Sequence, residues 1–255
     1  MRVAVVSSDW LSPTKRAVIN GLGKRLMGIA SVPIVPSQVG NWRHLRSLAV
    51  YAGLRGWPKL VSDALGMRLV RIFGPIVYKE RAWTLGELAR SAGVPFLRAT
   101  GTEDPALLQW LGEIHPDLVV SLHSHRVPAR ALSIPTSGWL NLHHGRLPDY
   151  RGVFSVFWAM LHQEPVLYVT AHLMSCQIDQ GPVIVEKAVR VEAGASVARM
   201  EARMWRESPE VFLEAVRRLE KDALLPEITR LGGRFFTYPT RADLRRAACS
   251  GLRVR

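Results

Sequence analysis

The chain has 255 residues, of which 48% are hydrophobic and 22% charged, and its formal net charge is +13. This length leaves room for one large domain with a substantial core, and the composition excludes a disordered chain. No apolar run is long enough to span a membrane, the N-terminal one is too short for a signal peptide, and two distant cysteines make no disulfide framework, so a reducing cytoplasm is the expected setting.

The positive balance has two readings. It suits an RNA or anionic-lipid surface, or attraction for phosphorylated substrates. Arginine greatly outnumbers lysine and is spread along the chain, so a general compositional bias stands beside the functional cause.

In chain order, residues 3–6 read as an apolar strand with Ser7, Ser8 and Asp9 as its turn. Ser12 then caps a helix with Pro13 in its first turn, and the helix runs toward Leu26 and Gly28. A strand entering a helix is a Rossmann-like start, yet the turn lacks the G-x-G-x-x-G fingerprint, so no dinucleotide is expected. Residues 29–35 are the expected second strand. Within residues 40–79, Trp42, Leu45, Leu48, Ala49 and Tyr51 have the spacing of one amphipathic helix, and Trp57, Leu60, Val61 and Leu65 that of another. Gly53, Gly56 and Pro58 break this stretch, and packing on its own domain is preferred to a membrane surface.

Residues 82–92 read as a helix, 94–99 as a strand, 104–114 as a helix and 117–122 as a strand. This βαβ alternation predicts an α/β fold: a Rossmann-like, mostly parallel sheet flanked by helices. A histidine-bearing loop follows, with His123, His125, Arg126, Val127 and Pro128. His123, His125 and His143 have no short-spaced cysteine or acidic partner, so no metal is expected. Beyond residue 182, 183–191 is a strand. Ser196 caps a long helix reaching about residue 219, with a break at Ser208 and Pro209, and residues 235–240 are extended. Arg234, Arg241, Arg245 and Arg246 make the end basic. The expected division is a catalytic domain over 1–230 and a short C-terminal tail over 231–255.

The chemistry gathers between residues 137 and 182. Trp139, Leu140 and Leu142 make a short strand that carries Asn141 and His143, and Pro148 to Gly152 form a turn. A second apolar run over 166–174 breaks at Ser175, Cys176 and Gln177 and reaches Asp179, Gly181 and Pro182. If the two strands lie parallel in one sheet, their polar loops share the edge where open α/β sheets place their sites. Asn141 offers an amide donor, His143 a ring that titrates near neutrality, and Asp179 a carboxylate able to orient that ring. Such a trio suits acyl transfer, where an oxygen needs donors while a proton moves. No serine or cysteine occupies a nucleophile elbow, and Cys176 reads as a reduced loop thiol.

Asn141-Leu142-His143, then Leu147-Pro148-x-Tyr150-Arg151-Gly152, Trp158-Ala159, Val169-Thr170, Met174 and Ile178-Asp179-x-Gly181 together resemble the signature of the formyltransferases that use 10-formyltetrahydrofolate. The resemblance implies that Asn141 and protonated His143 hold the formyl oxygen, while Asp179 supports His143 and helps move a proton from the attacking amine to the folate nitrogen. It also implies that His125, Arg126, Val127, Leu140 and the loop Ser175, Cys176, Gln177 and Ile178 line the folate pocket. Arg146, Tyr150 and Arg151 fall on the acceptor side. Where relatives carry glycines for a phosphate near the first turn, Lys15 with Thr14 and Arg16 could serve, helix-surface charge being the alternative. Two departures stand out: Gly145-Arg146 replaces the usual Ser-Leu, and Tyr168 replaces the Gly before Val-Thr. His144 reads as a turn residue facing water.

By that resemblance the expected function is transfer of a formyl group from 10-formyltetrahydrofolate to a primary amine of a small molecule, such as a nucleotide-linked amino sugar or an amino acid. The alternatives are a methionyl-tRNA formyltransferase without its usual C-terminal domain, and a basic RNA- or membrane-surface protein on a borrowed fold. Neither that tRNA-binding domain nor the N-terminal regulatory domain of formyltetrahydrofolate hydrolases is expected, and a homodimer is left open.

Overall fold

A computed structural model describes residues 1–8, 11–33, 84–123, 126–221 and 232–254. Elements are numbered along these described residues. β1 (Val3–Ser8) is buried through Ser7, and it lies between β2 (Leu26–Val32) and β4 (Leu118–Leu122), parallel to both. Near-continuous apolar runs are what strands covered on two faces require. β3 (Phe96–Arg98) extends the parallel set beyond β2, and β5 (Trp139–His143) extends it beyond β4. The sheet then reverses direction. β7 (Val166–Leu173) is antiparallel to β5, and β8 (Val183–Arg190) is antiparallel to β7. The sheet is therefore mostly parallel, as the alternation predicts, but the supposition that the two site-bearing strands run parallel is corrected. Their pairing puts His143 opposite Thr170 and Asn141 opposite His172.

Two apolar layers cover this sheet. On one face α1 (Pro13–Leu22) and α6 (Val197–Lys221) pack with Val3, Val5, Ile29, Leu118 and Val120. On the other, Leu107, Trp110 and Leu111 of α3 (Pro105–Ile114) meet Ala4, Val6, Ala30, Val119 and Trp139. Trp139 is fully buried, and its indole N–H donates to the Ala131 carbonyl at 2.8 Å, in the short α4 (Ala129–Leu132). The indole N–H is paired, so a large ring enters the core without an orphaned donor.

Local signals set several ends. Ser12 accepts from the Lys15 amide and caps α1, as its sequence predicts. α1 stops at Leu22, because Gly23 at φ 53° turns the chain, and Leu26 and Met27 belong to β2 rather than to the helix. α2 (Leu85–Ala92) begins in a capping box between Thr84 and Glu87. Residues 40–79, read as two amphipathic helices, lie outside the described residues.

The break expected at Ser208 and Pro209 does not occur. α6 runs through Pro209, whose missing N–H leaves the Trp205 carbonyl without its helical donor, and the Thr14 hydroxyl donates to that carbonyl instead at 3.1 Å. The end of the chain is also more ordered than a tail. β9 (Arg234–Phe236) pairs in parallel with β6 (Tyr150–Gly152), and α7 (Arg241–Cys249) carries a Thr240–Asp243 capping box and buries Ala247 in the main core.

Candidate active site

β strands present alternate residues to opposite faces, and opposed residues of an antiparallel pair share a face. Asn141 and His143 on β5, with Thr170 and His172 on β7, therefore line one surface at the seam where the sheet changes direction. It is the face of Trp139. Asp179 is brought there by the 174–182 connection between β7 and β8. That connection is drawn tight, with the Leu173 amide bonded to the Pro182 carbonyl and the Met174 amide to the Trp139 carbonyl. Asp179 adopts φ 54°, the left-handed region, and a side chain at Gly181 would overlap the Leu173 carbonyl, 1.7 Å away. These two backbone positions fold the carboxylate back over the strands.

The carboxylate sits between two imidazoles. Its Oδ2 lies 3.8 Å from His143 Nδ1, and Oδ1 lies 3.7 Å from His172 Nε2. Oδ2 also accepts the Gly152 amide at 2.8 Å. His143 is 8% exposed, and its Nε2–H donates to the Tyr150 carbonyl at 2.5 Å. Asn141 is part-exposed beside them. The structure brings Asp179 beside His143, with Asn141 on the same face of β5, and His172 joins them without having been expected. The signal for it was present: a polar residue two places after Thr170 in an apolar strand shares the Thr170 face.

The two loops expected around the folate are bridged, since the Arg126 guanidinium donates to the Cys176 carbonyl at 3.4 Å. Ile178 is exposed, Val127 is nearly buried and Leu140 fully so. Ser175 closes a local turn with Gln177, and Cys176 is an exposed free thiol. His125 lies outside the described residues. Among those described, no group of His, Cys, Asp and Glu is arranged to hold a metal.

On the acceptor side the placement differs from residue to residue. The Tyr150 hydroxyl donates to Glu164 at 2.7 Å and its ring stacks on Phe236, so this residue reaches the trio through its main chain. Burial and Glu164 push its hydroxyl pKa well up. Arg151 donates to the Gly233 carbonyl at 3.2 Å in the C-terminal stretch. Lys15 Nζ donates to the Ser8 carbonyl at 3.1 Å and to its hydroxyl at 2.5 Å, at the end of β1. Arg146 is exposed and sits 5.3 Å over the Tyr168 ring, so the two departures in the motif touch each other. Gly145, which precedes Arg146 in the first departure, has a steric reason. A Cβ there would come within 2.9 Å of His143 Nε2 and 3.0 Å of the Tyr150 carbonyl.

His144 does not face water. Its ring packs edge-on against Trp205 with centroids 4.3 Å apart, and its Nε2 is 3.0 Å from the Ser208 hydroxyl. Ser208 spends its own proton on the Met204 carbonyl, so His144 is the donor. Burial, helped by the neighbouring His143, holds its pKa down to about 3.

The α/β fold agrees with what the chain is similar to. The sequence model of the family described as Formyl transferase matches residues 75–216, more than half of the chain, which therefore belongs to that family. Among curated relatives, a methionyl-tRNA formyltransferase of Caldanaerobacter subterraneus subsp. tengcongensis is 29% identical over 143 residues, covering 55% of this chain and 46% of its own. Another from Syntrophus aciditrophicus is 32% identical over 133 residues, covering 52% and 43%. The chain thus spans about half the length of the curated relatives it matches. Among solved structures, glycinamide ribonucleotide transformylase 1 of Symbiobacterium toebii superposes with a TM-score of 0.62 at 21% identity, over 90% of this chain and 92% of that one. A formyltetrahydrofolate deformylase of Pseudomonas syringae pv. tomato gives 0.58 at 16% identity, over 89% and 64%. Those likenesses establish the fold.

Proposed function

We propose that the protein is an N-formyltransferase that moves the formyl group of 10-formyltetrahydrofolate to a primary amine of a small molecule. One observation carries the reading: in a chain of this family, Asp179 is 3.8 Å from His143 on the strand that also bears Asn141. The folate supplies the formyl carbon, and Arg126, Val127 and Ile178 with the 175–177 turn are the residues that would hold it. Bridging of their two loops by Arg126 fits a donor seated beside the seam.

The roles follow from chemistry. A bond forms between the amine nitrogen and the formyl carbon, the bond from that carbon to the folate nitrogen breaks, and one proton passes from amine to folate nitrogen. Asn141 donates to the formyl oxygen as it becomes negative. His143, protonated, is the second donor, exchanging its Tyr150 carbonyl for that oxygen. Asp179 steadies the imidazolium and takes part in moving the proton. Arg146 and Tyr168 stand on the acceptor side. Two free, exposed cysteines suit the cytoplasm.

A screen of amines read by folate absorbance tests this, with nucleotide-linked amino sugars, ornithine-like amino acids and charged tRNA in the panel. Tetrahydrofolate formation with a small amine supports the reading, and its absence with every acceptor ends it. Turnover with charged tRNA alone selects the second reading, which the net charge of +13 and the names of the matched relatives favour. Binding that falls steeply with salt would accompany that outcome.

A further inference from the structure

Of the five large apolar side chains that are exposed among the described residues, three gather about one hydrogen bond. That bond runs from the Gly152 amide to Asp179 Oδ2 and is 2.8 Å long. Val153, 39% exposed, follows Gly152, and Ile178, 40% exposed, precedes Asp179. Phe235, 52% exposed, comes from the far end of the chain, and its Cε2 stands 3.1 Å from where a Cβ on Gly152 would be. Apolar side chains scattered singly over a surface need no explanation, but three that rim one carboxylate form a wall for a ligand.

The pairing of β6 with β9 builds that wall. Tyr150 and Phe236 stack on each other with ring centroids 5.4 Å apart, and alternation turns Arg151 and its register partner Phe235 to the other face. The Val153 amide donates to the Phe236 carbonyl at 3.1 Å, and that carbonyl leaves no room for a side chain at Gly152. Paired backbone therefore places the Phe235 ring beside Gly152. The Arg151 guanidinium donates to the Gly233 carbonyl at 3.2 Å, and among the described residues its buried Nε–H meets no acceptor. A positive group thus shares the face of the ring.

The chemistry of formyl transfer, on which this inference rests, selects the occupant. The folate nitrogen that gives up the formyl group also carries the p-aminobenzoyl ring. That ring is two bonds from the reacting carbon, and a glutamate continues from its other end. An apolar rim beside Asp179 with a guanidinium on its flank suits a ring followed by an anion. We infer that Phe235, with Val153 and Ile178, holds the aryl ring of the formyl donor, and that Arg151, expected on the acceptor side, takes the donor's glutamate carboxylate. The C-terminal strand is then part of the donor site.

Titration calorimetry of the full chain tests this with two probes: tetrahydrofolate, and 6-methyltetrahydropterin, which lacks the ring and the glutamate. Phe235→Ala should weaken tetrahydrofolate by about tenfold and leave the pterin unchanged, while Phe235→Leu should weaken it less. Arg151→Gln should weaken tetrahydrofolate by about threefold or more, with a loss that shrinks as salt rises. Tetrahydrofolate bound equally well by the native chain and Phe235→Ala, or both probes weakened alike in Phe235→Ala and Phe235→Leu, overturns the inference and leaves formyl transfer standing. Unchanged binding in Arg151→Gln removes Arg151 from the donor site. A native chain that binds no tetrahydrofolate ends the formyl-transfer reading and this inference with it.

Discussion

The parallel part of the sheet and its antiparallel pair are built to different rules. β1, β2 and β4 are buried almost from end to end, because helices cover both faces. β8 is only partly buried, with Lys187 reaching Glu207 and Glu210 of α6 at the surface. The first region stores stability and carries little chemistry. The second contributes less core but lets a strand run backward beside β5, so that its following loop can fold over the strand that bears His143. The reversal starts that loop beside Trp139, at the far end of β5 from His143, and the fold-back at Asp179 and Gly181 is what carries the carboxylate to the imidazole.

Breaking the seam should have the largest effect. His143→Ala or Asp179→Ala should lower the formyl-transfer rate by about a hundredfold or more, while the proteins unfold near the native temperature. Turnover retained in both would separate the seam from the chemistry. Next comes the parallel region. Trp139→Ala should cost roughly 3–5 kcal/mol in urea unfolding, since it leaves a cavity and strips the Ala131 carbonyl of its donor. A loss under about 1 kcal/mol would show that this core collapses around the gap.

A third prediction concerns pH. His144 is kept neutral by burial with a pKa of about 3, below its unfolded value near 6.5. Such a group contributes stability that is present above the unfolded pKa and is lost as pH falls through that interval toward the folded one. Melting temperature should drop from about pH 6.5 downward, and His144→Gln should flatten the drop. An equal slope in both proteins would mean that another group governs it. The smallest effect belongs to the antiparallel edge, where Lys187→Ala should change stability by less than about 1 kcal/mol and the change should shrink with salt.

Much of this was legible in the residues. Alternation of apolar strands and helices predicts the parallel sheet, Ser12 announces its helix by capping it, and the motif around Asn141, His143 and Asp179 carries the resemblance to the family. Alternation places His172 on the face of Thr170, but that this face meets Asp179 shows only once the register with β5 is known. His144 reads as a polar turn residue until Trp205 and Ser208, distant in sequence, close over it. Pro209 looks like a helix break until Thr14 supplies the missing donor.

What the sequence by itself determined is the family, through the resemblance of its motif, and the parallel run of the early strands, which follows from local periodicity. Only the tertiary structure decided that β7 runs against β5, that β9 pairs with the turn before α5 (Ser155–Leu161), and that a second imidazole flanks the carboxylate. Strand direction and register are settled by contacts between segments far apart in the chain, and no local pattern carries that information.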